Sequence, residues 1–315
     1  MAKRRLGRSE LWVSPFCFGG NVFGWTADEA TSFRLLDRLV DAGLDFIDTA
    51  DVYSVWVPGH QGGESEAIIG RWLARSGKRD KIVLATKVGA PLSDTEKGLK
   101  PDRIFRAVED SLRRLGTDRI DLYQSHFDDG SVAIEEVLRA YETLIRAGKV
   151  RVIGASNFTA ARLREALDIA ETLGLPRYET LQPQYNLMER DLERDLAPLC
   201  LDRKVGVIPY YSLASGFLTG KYRSEADLGK SVRGARGAGK YLNERGLKVL
   251  AALDKVAEAH GATPAQVALA WMMGKPGVTA PIASATSVEQ LDELIGATQL
   301  QLSGAEMQAL DKASG

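Results

Sequence analysis

The chain has 315 residues, 44% of them apolar and 26% charged, figures that suit an ordinary soluble globular protein. At roughly 150 residues per domain the length suggests two domains, although α/β barrels run longer as one unit. Forty-one Lys and Arg stand against 42 Asp and Glu, and the net charge of -1 argues against nonspecific nucleic-acid or anionic-membrane binding.

Strand-like and helix-like segments alternate from end to end. Cys17–Gly19 reads as a short strand, followed by an amphipathic stretch over Asp28–Ala42. Asp45–Asp48 (DFID) is the second strand, and Glu64–Ser76 carries Ile68, Ile69, Trp72 and Leu73 at helical spacing. Lys81–Val88 is rich in β-branched residues, and Pro101–Leu115 opens with Pro at a first helical position and stops at Gly116. Ile120–Ser125 is the fourth strand. Val132–Ala147 follows as a helix with one apolar stripe, ended by Gly148. Val150–Ala155 precedes a helix over Thr159–Leu173. Glu179–Gln182 and Val205–Tyr210 flank a helix over Leu192–Arg203. Val278–Ile282 is the last strand, with Val288–Ile295 helical behind it.

Such alternation implies a parallel sheet. Eight strand–helix units with no linker imply one (β/α)8 TIM barrel over residues 1–315, with a long loop after strand 7. The alternative, a doubly wound sheet, usually carries GxGxxG after its first strand. None is present, and Gly234–Gly239 (GARGAG) has its glycines in the wrong order. Lys230–Lys240, rich in Gly and Arg, falls in the long connection and reads as a mobile loop.

Cys17 and Cys200 are far apart, without CxxC spacing, and read as core. His60, His126 and His260 form no clustered ligand pattern, so no bound metal is expected. The basic stretch Met1–Arg8 lacks a following apolar region, and no run approaches the roughly 20 apolar residues of a membrane span. A cytoplasmic protein with a small-molecule substrate is expected.

In a barrel of this kind catalytic groups come from the C-terminal ends of several strands. Those ends hold Asp48, Thr49, Asp51 and Tyr53, then Lys87, His126, Ser156 and Asn157, Gln182, and Tyr210 with Ser212. Asp48, Tyr53, Lys87 and His126 have a coherent chemistry. A lysine beside a tyrosine stabilises the phenolate and lowers its pKa from about 10. An aspartate orients that lysine, and a histidine can hydrogen-bond a carbonyl. The tyrosine then acts as general acid toward a developing alkoxide. A hydride is still needed, and a nicotinamide cofactor supplies one.

Phe46–Tyr53 (FIDTADVY), Ala85–Lys87 (ATK), Ser125–Phe127 (SHF), Gly154–Phe158 (GASNF), Gln182–Asn186 (QPQYN) and Pro209–Leu218 (PYYSLASGFL) together resemble the aldo-keto reductase family. The resemblance runs from the first strand to the helix after the last. It implies NAD(P)(H)-linked interconversion of an aldehyde or ketone with an alcohol. In it Tyr53 donates the proton, Asp48 and Lys87 tune it, and His126 orients substrate. It implies that Ser156, Asn157 and Gln182 hold the nicotinamide carboxamide and that Tyr210 stacks on the ring. Ser212, Leu213, Gly216, Thr219 and Lys221 would follow the pyrophosphate, under a loop through Lys240. Gln290 and Glu293 would face the adenosine ribose. Many NADP-dependent relatives carry Arg or Lys before the last barrel helix. Here Pro281–Gln290 has no cation, leaving the hydroxyls of Ser284, Thr286 and Ser287. NADP(H) is favoured, with NAD(H) as the alternative.

Taken singly, Asp48 would be a helix N-cap, Lys87 a solvated strand end, Tyr53 a loop aromatic and His126 a structural histidine. Their joint placement on successive strand ends outweighs those readings. Trp25, Trp56 and Phe127, beside Tyr53 and His126, are candidates for an aromatic substrate pocket, whereas Trp12, Trp72 and Trp271 read as packing residues. Val55–Gly63 is a long loop suited to specificity, with His60 at its surface. A nicotinamide-binding regulatory subunit with little turnover is the competing function. A metal-dependent hydrolase would need clustered ligands that the strand ends lack.

Overall fold

The computed structural model describes residues 2–232 and 234–315, excluding the side chains of residues 235 and 236. Eight strands lie side by side, all parallel: β1 (Cys17–Gly19), β2 (Phe46–Asp48), β3 (Val83–Val88), β4 (Ile120–Ser125), β5 (Val150–Ser156), β6 (Tyr178–Gln182), β7 (Gly206–Val207) and β8 (Ile282–Ala283). β8 pairs with β1, so the first strand lies between the second and the last. A parallel bridge between Val207 and Val278 closes the ring, supported by bonds from Thr279 N to Val207 O (2.7 Å) and from Ile282 N to Pro209 O (2.8 Å). This is the expected TIM barrel.

The helices α1 (Glu29–Asp41), α2 (Glu64–Ser76), α3 (Pro101–Leu115), α4 (Ile134–Arg146), α5 (Ala160–Leu173) and α6 (Leu196–Asp202) fill the connections between strands. After β7 come α7 (Glu244–His260) and α8 (Pro264–Met273). After β8 come α9 (Val288–Ala297) and α10 (Gly304–Ser314). Short polar side chains start several helices. Asp28, Thr159 and Ser287 each accept a bond from a backbone N–H three residues on, satisfying a donor the helix leaves free.

Two hydrophobic layers follow from the strand pleat. Cys17, Phe46, Val83, Ala85, Leu122, Val152, Ile208 and Ile282 point inward, while Phe18, Ile47, Leu84, Tyr123, Ile153 and Leu181 pack under the helices. An antiparallel hairpin, Arg4–Arg5 with Trp12–Val13, seals the N-terminal end of the barrel. Its Leu6, Leu11 and Val13 join the inner cluster, and Arg4 donates to the carbonyl of Val278. Trp72, Trp271, Cys17 and Cys200 are core as expected. Trp12 is not. It is 53% exposed, because the hairpin turns Val13 inward and leaves its neighbour facing solvent.

Other boundaries differ for local reasons. The expected strand Val205–Tyr210 keeps ladder pairing only over Gly206–Val207, since Pro209 has no N–H to donate. Residues 278–282 bond toward the β7 side through Thr279 and Ile282, and toward β1 through the Pro281 carbonyl. The expected helix Leu192–Arg203 splits into a 3-10 turn, Asp191–Glu193, and α6, which holds Pro198 in its first turn. The sequence reading placed nothing over α7, α8 or α10. α8 is buried at eight of its ten positions and so lacks the stripe that marks a surface helix.

Of the expected basic loop, Arg233 and the Arg236 side chain lie outside the described residues. Gly234–Ala238 forms a wide π-helical turn and Gly239–Tyr241 a 3-10 turn, and Tyr241 packs on Phe217.

Gly70 lets α2 cross close to α3. A Cβ there would meet the Arg114 carbonyl oxygen and stand 3.0 Å from the Leu115 Cα. Gly70→Ala is expected to cost ~1–3 kcal/mol, as overpacking does. Urea unfolding measures it, and an unchanged midpoint would contradict the close crossing.

Candidate active site

The C-terminal strand ends converge as the parallel register requires. Asp48 pairs with Ala85, Lys87 with Gln124, and Ser156 with Gln182 across adjacent ladders. Inward-facing side chains two residues apart therefore stack in layers above the hydrophobic interior.

Lys87 is fully buried. Its Nζ donates to Asp48 Oδ2 (2.5 Å), to the Thr49 carbonyl (2.8 Å) and to the Tyr53 hydroxyl (3.1 Å), and lies 4.7 Å from the centre of the Tyr53 ring. Burial by itself would lower the lysine's pKa. Asp48 and Tyr53 outweigh it and hold the ammonium above its ordinary value. The second Asp48 oxygen accepts from Gln124 Nε2 (3.0 Å) and Gln182 Nε2 (2.9 Å). Asp48 caps no helix, since α2 starts behind Gly63, and Lys87 is no solvated strand end.

Tyr53 is half-buried. Burial raises its hydroxyl above 10, although Lys87 pulls in the expected direction. The expected net lowering is thus overturned, because lost hydration outweighs the nearby ammonium. The hydroxyl stays protonated at neutral pH with a cation ready to meet the phenolate. The His126 ring lies 6.0 Å from that of Tyr53, edge to face. Burial, then Lys87, holds its pKa well below 6.5, and its buried Nδ1 has no hydrogen-bond partner.

Above the tetrad stands an aromatic wall. Trp56 meets both Tyr53 and Trp25 edge-on at 5.7 Å, and Phe127 stacks on His126 at 5.0 Å. Trp56 is 38% and Phe127 45% exposed, so both present ring area to the mouth. His60 is half-buried and bonded to Ser54 rather than fully at the surface.

The residues tied by resemblance to a dinucleotide lie around the opposite strand ends. Ser156 Oγ donates to the Gln182 carbonyl (2.8 Å), and Asn157 Nδ2 to Ser156 Oγ (3.1 Å) and the His126 carbonyl (2.9 Å). The Tyr210 hydroxyl donates to Asn157 Oδ1 (2.7 Å) while Tyr211 projects into solvent, which resolves which of the two faces the mouth. Ser212 is buried against the Pro209 carbonyl. The Leu213 carbonyl accepts from Gly216 N, and Thr219 donates to the Gly216 carbonyl. Gly216, at φ 89°, continues a run of left-handed residues from Ala214 that folds this backbone into a tight turn. Lys221 is exposed and carries no ion pair among the described residues. Lys240 is instead held by Glu189 (2.9 Å).

Ser284 bonds Asn21, and Gln290 turns back to accept from the N–H and hydroxyl of Thr286. Glu293 sits one turn further along α9, its carbonyl accepting from Gln266. The chemistry of this set fits a dinucleotide: side-chain amides and a hydroxyl beside the tetrad, a tight glycine turn, a free ammonium, and a helix N-terminus with three hydroxyls. Sequence reasoning missed Gln124, which shares Asp48 with Gln182. Its signal was its place two residues before His126, on the inward face of β4. Arg34 of α1 lies near the start of α9 and adds to the lowering of Glu289 begun by that residue's own amide and Ser287.

The Aldo/keto reductase family model matches residues 15–314, and the chain belongs to that family of nicotinamide-dependent oxidoreductases. It is 40% identical to the uncharacterized oxidoreductase YrpG of Bacillus subtilis, covering 94% of this chain and 91% of the relative. It is 35% identical to Protein tas of Escherichia coli, over 96% of this chain and 94% of that one. It is 33% identical to an aryl-alcohol dehydrogenase [NADP(+)] of Phanerodontia chrysosporium, over 96% and 82%.

Removing one charge from the buried pair leaves the other uncompensated. Lys87→Met is expected to destabilise the fold by ~3–5 kcal/mol, with part regained in the double variant carrying Asp48→Asn. Chemical unfolding of the two variants checks this, and a loss under about 1 kcal/mol for Lys87→Met would contradict an uncompensated buried charge.

Proposed function

We propose that the chain interconverts an aromatic aldehyde or ketone with its alcohol, with Tyr53 as general acid in reduction and general base in oxidation. The reading rests above all on one observation, the Tyr53 hydroxyl 3.1 Å from a buried lysine ammonium at the mouth of the barrel. When bound, the nicotinamide supplies or accepts the hydride.

The chain's own residues do the rest. The protonated Tyr53 hydroxyl gives its proton to the carbonyl oxygen as that oxygen gains charge, and Lys87 stabilises the phenolate left behind. Asp48, fixed by Gln124 and Gln182, keeps Lys87 aimed. The neutral His126 ring donates a hydrogen bond to the carbonyl and orients it. Ser156, Asn157 and Gln182 hold the carboxamide, with Tyr210 against the ring. Trp25, Trp56 and Phe127 grip a flat substrate by offset and edge contacts. One relative bears aromatic chemistry in its name, the aryl-alcohol dehydrogenase of Phanerodontia chrysosporium.

For the cofactor we propose NADP(H). The 2′-phosphate would meet the N-terminus of α9, the hydroxyls of Ser284, Thr286 and Ser287, and Arg34 from α1. Two relatives carry NADP(+) in their names.

Tyr53→Phe should cut turnover on the order of 10²–10⁴-fold while cofactor affinity, read by fluorescence titration, stays nearly intact. Undiminished turnover would sink the assignment. Specificity constants for NADPH and NADH should favour NADPH by more than about tenfold, with Arg34→Ala narrowing the gap. A wild-type preference for NADH overturns the cofactor proposal.

A further inference from the structure

The turn that carries Tyr53 holds a second carboxylate, and the proposed chemistry does not use it. Asp48 and Asp51 point to opposite sides of this turn. Asp48 reaches into the barrel mouth. Asp51 is buried on the flank, where its Oδ2 accepts from Arg103 Nη2 of α3 (3.0 Å). Its other oxygen, Oδ1, is buried without a hydrogen-bond partner, as is the Tyr123 hydroxyl of β4, while Arg103 Nε lies 3.1 Å from Glu96 Oε2. A cavity of about 290 Å³ opens beside them, lined by Asp51, Glu96, Arg103, Arg106 and Arg114 among others. Tyr53 and Lys87 are not among its lining residues, so this flank cavity is separate from the substrate mouth.

The backbone ties Asp51 to the catalytic groups. Asp51 N donates to the Lys87 carbonyl (3.2 Å), Tyr53 N to the Ala50 carbonyl (3.2 Å), and Lys87 Nζ to the Thr49 carbonyl. Residues 49–53 are therefore clamped from inside by Lys87 and from outside by Arg103.

We propose that Asp51 is a positioning residue for Tyr53. Ionised and paired with Arg103, it anchors the 49–53 turn to α3; a proton taken up from the flank cavity releases that anchor and slows turnover.

The groups facing Asp51 are Glu66 from α2, Arg103 and Arg114 from α3, and the hydroxyls of Tyr123 and, further off, Tyr141 of α4. Glu66 is itself occupied by Arg114 (2.6 Å) and Thr86 (2.5 Å). Burial, then Glu66, pushes the Asp51 carboxyl up to about 7, against the opposing pull of the two arginines. Because the folded value is raised, protonation of Asp51 favours the folded state at acid pH, and this contribution is lost as pH rises through about 7. The carboxylate that holds the turn in register is thus bought with some stability. Neither catalytic partner titrates near that pH, since His126 lies well below 6.5 and Tyr53 above 10.

The experiment is a profile of kcat and KM for aldehyde reduction from pH 6 to 9, at saturating reduced cofactor. Thermal unfolding is recorded over the same range. Wild type should lose kcat on the acid side with a midpoint near 7. D51N, held in the neutral form, should be ~tenfold slower at pH 8, flat between pH 6 and 8, and within about twofold of wild type in KM. Its melting temperature should fall less from pH 6 to 8 than that of wild type. R103Q removes the other half of the anchor and should reproduce the D51N profile, slower than wild type at pH 8 and flat between pH 6 and 8, which keeps the test open should D51N fail to fold. An acid limb that persists in D51N or in R103Q overturns the proposal. The inference rests on Tyr53 as proton donor, and the two fail separately. Full turnover in Tyr53→Phe defeats that assignment. An inactive Tyr53→Phe with an unaltered D51N profile defeats only the role of Asp51.

Discussion

Asp48 and Lys87 face each other where water reaches neither charge. Taking a carboxylate and an ammonium out of water costs several kcal/mol per ion, and attraction between them repays this only if the remaining hydrogen-bonding capacity is also filled. The site can be understood as the answer to that demand. Two glutamine amides take up the second Asp48 oxygen, and the Thr49 carbonyl and Tyr53 hydroxyl take up the remaining lysine protons. The two charges and the two amides arrive on four different strands, so the charge pair is tenable only in a closed barrel with its register intact. The same demand makes Tyr53 useful. A lysine that must keep its charge can face a phenolate as readily as a phenol, so the tyrosine can part with its proton without any group having to move.

The flank repeats the problem with a different answer. Asp51 has one strong partner and one oxygen with none, beside a cavity. Asp48 has partners at both oxygens; Asp51 is left close to balance. Two carboxylates three residues apart on one turn are thus set to different tasks by their surroundings alone, the principle that separates acid from base in many catalytic sites.

Much of this was legible in the sequence. The alternation of elements announced the barrel, because strands buried on both faces read as continuous apolar runs and the intervening helices as amphipathic stripes. The polar residues at strand ends announced the tetrad, because a packed interior has no other reason to hold them there. What escaped had physical causes. α8 is apolar on all sides and leaves no stripe. The N-terminal hairpin is two residues per strand, too short for any periodicity. Trp12 looked like core because its surroundings read as a strand, while the pleat decides which neighbour goes in. The Tyr53 shift went the other way because desolvation depends on the packed structure, and the nearest charge was the only contribution visible in one dimension. Gln124 was overlooked because its role depends on Gln182 lying one ladder away, a relation that no spacing along the chain expresses.

The hairpin that seals the floor of the barrel bonds through Arg4 to the carbonyl of Val278, and the last strand pairs with the first. Arg4 thus reaches a partner 274 residues further along the chain. Until these contacts form, β1 has one unpaired edge and the inner apolar faces have no floor. Contacts of such large sequence separation carry a heavy loop-closure cost and slow the final step of folding. On the ribosome, nascent chains would wait in an open-edged form, so early exposure to other chains is a greater hazard for this protein than its finished surface suggests.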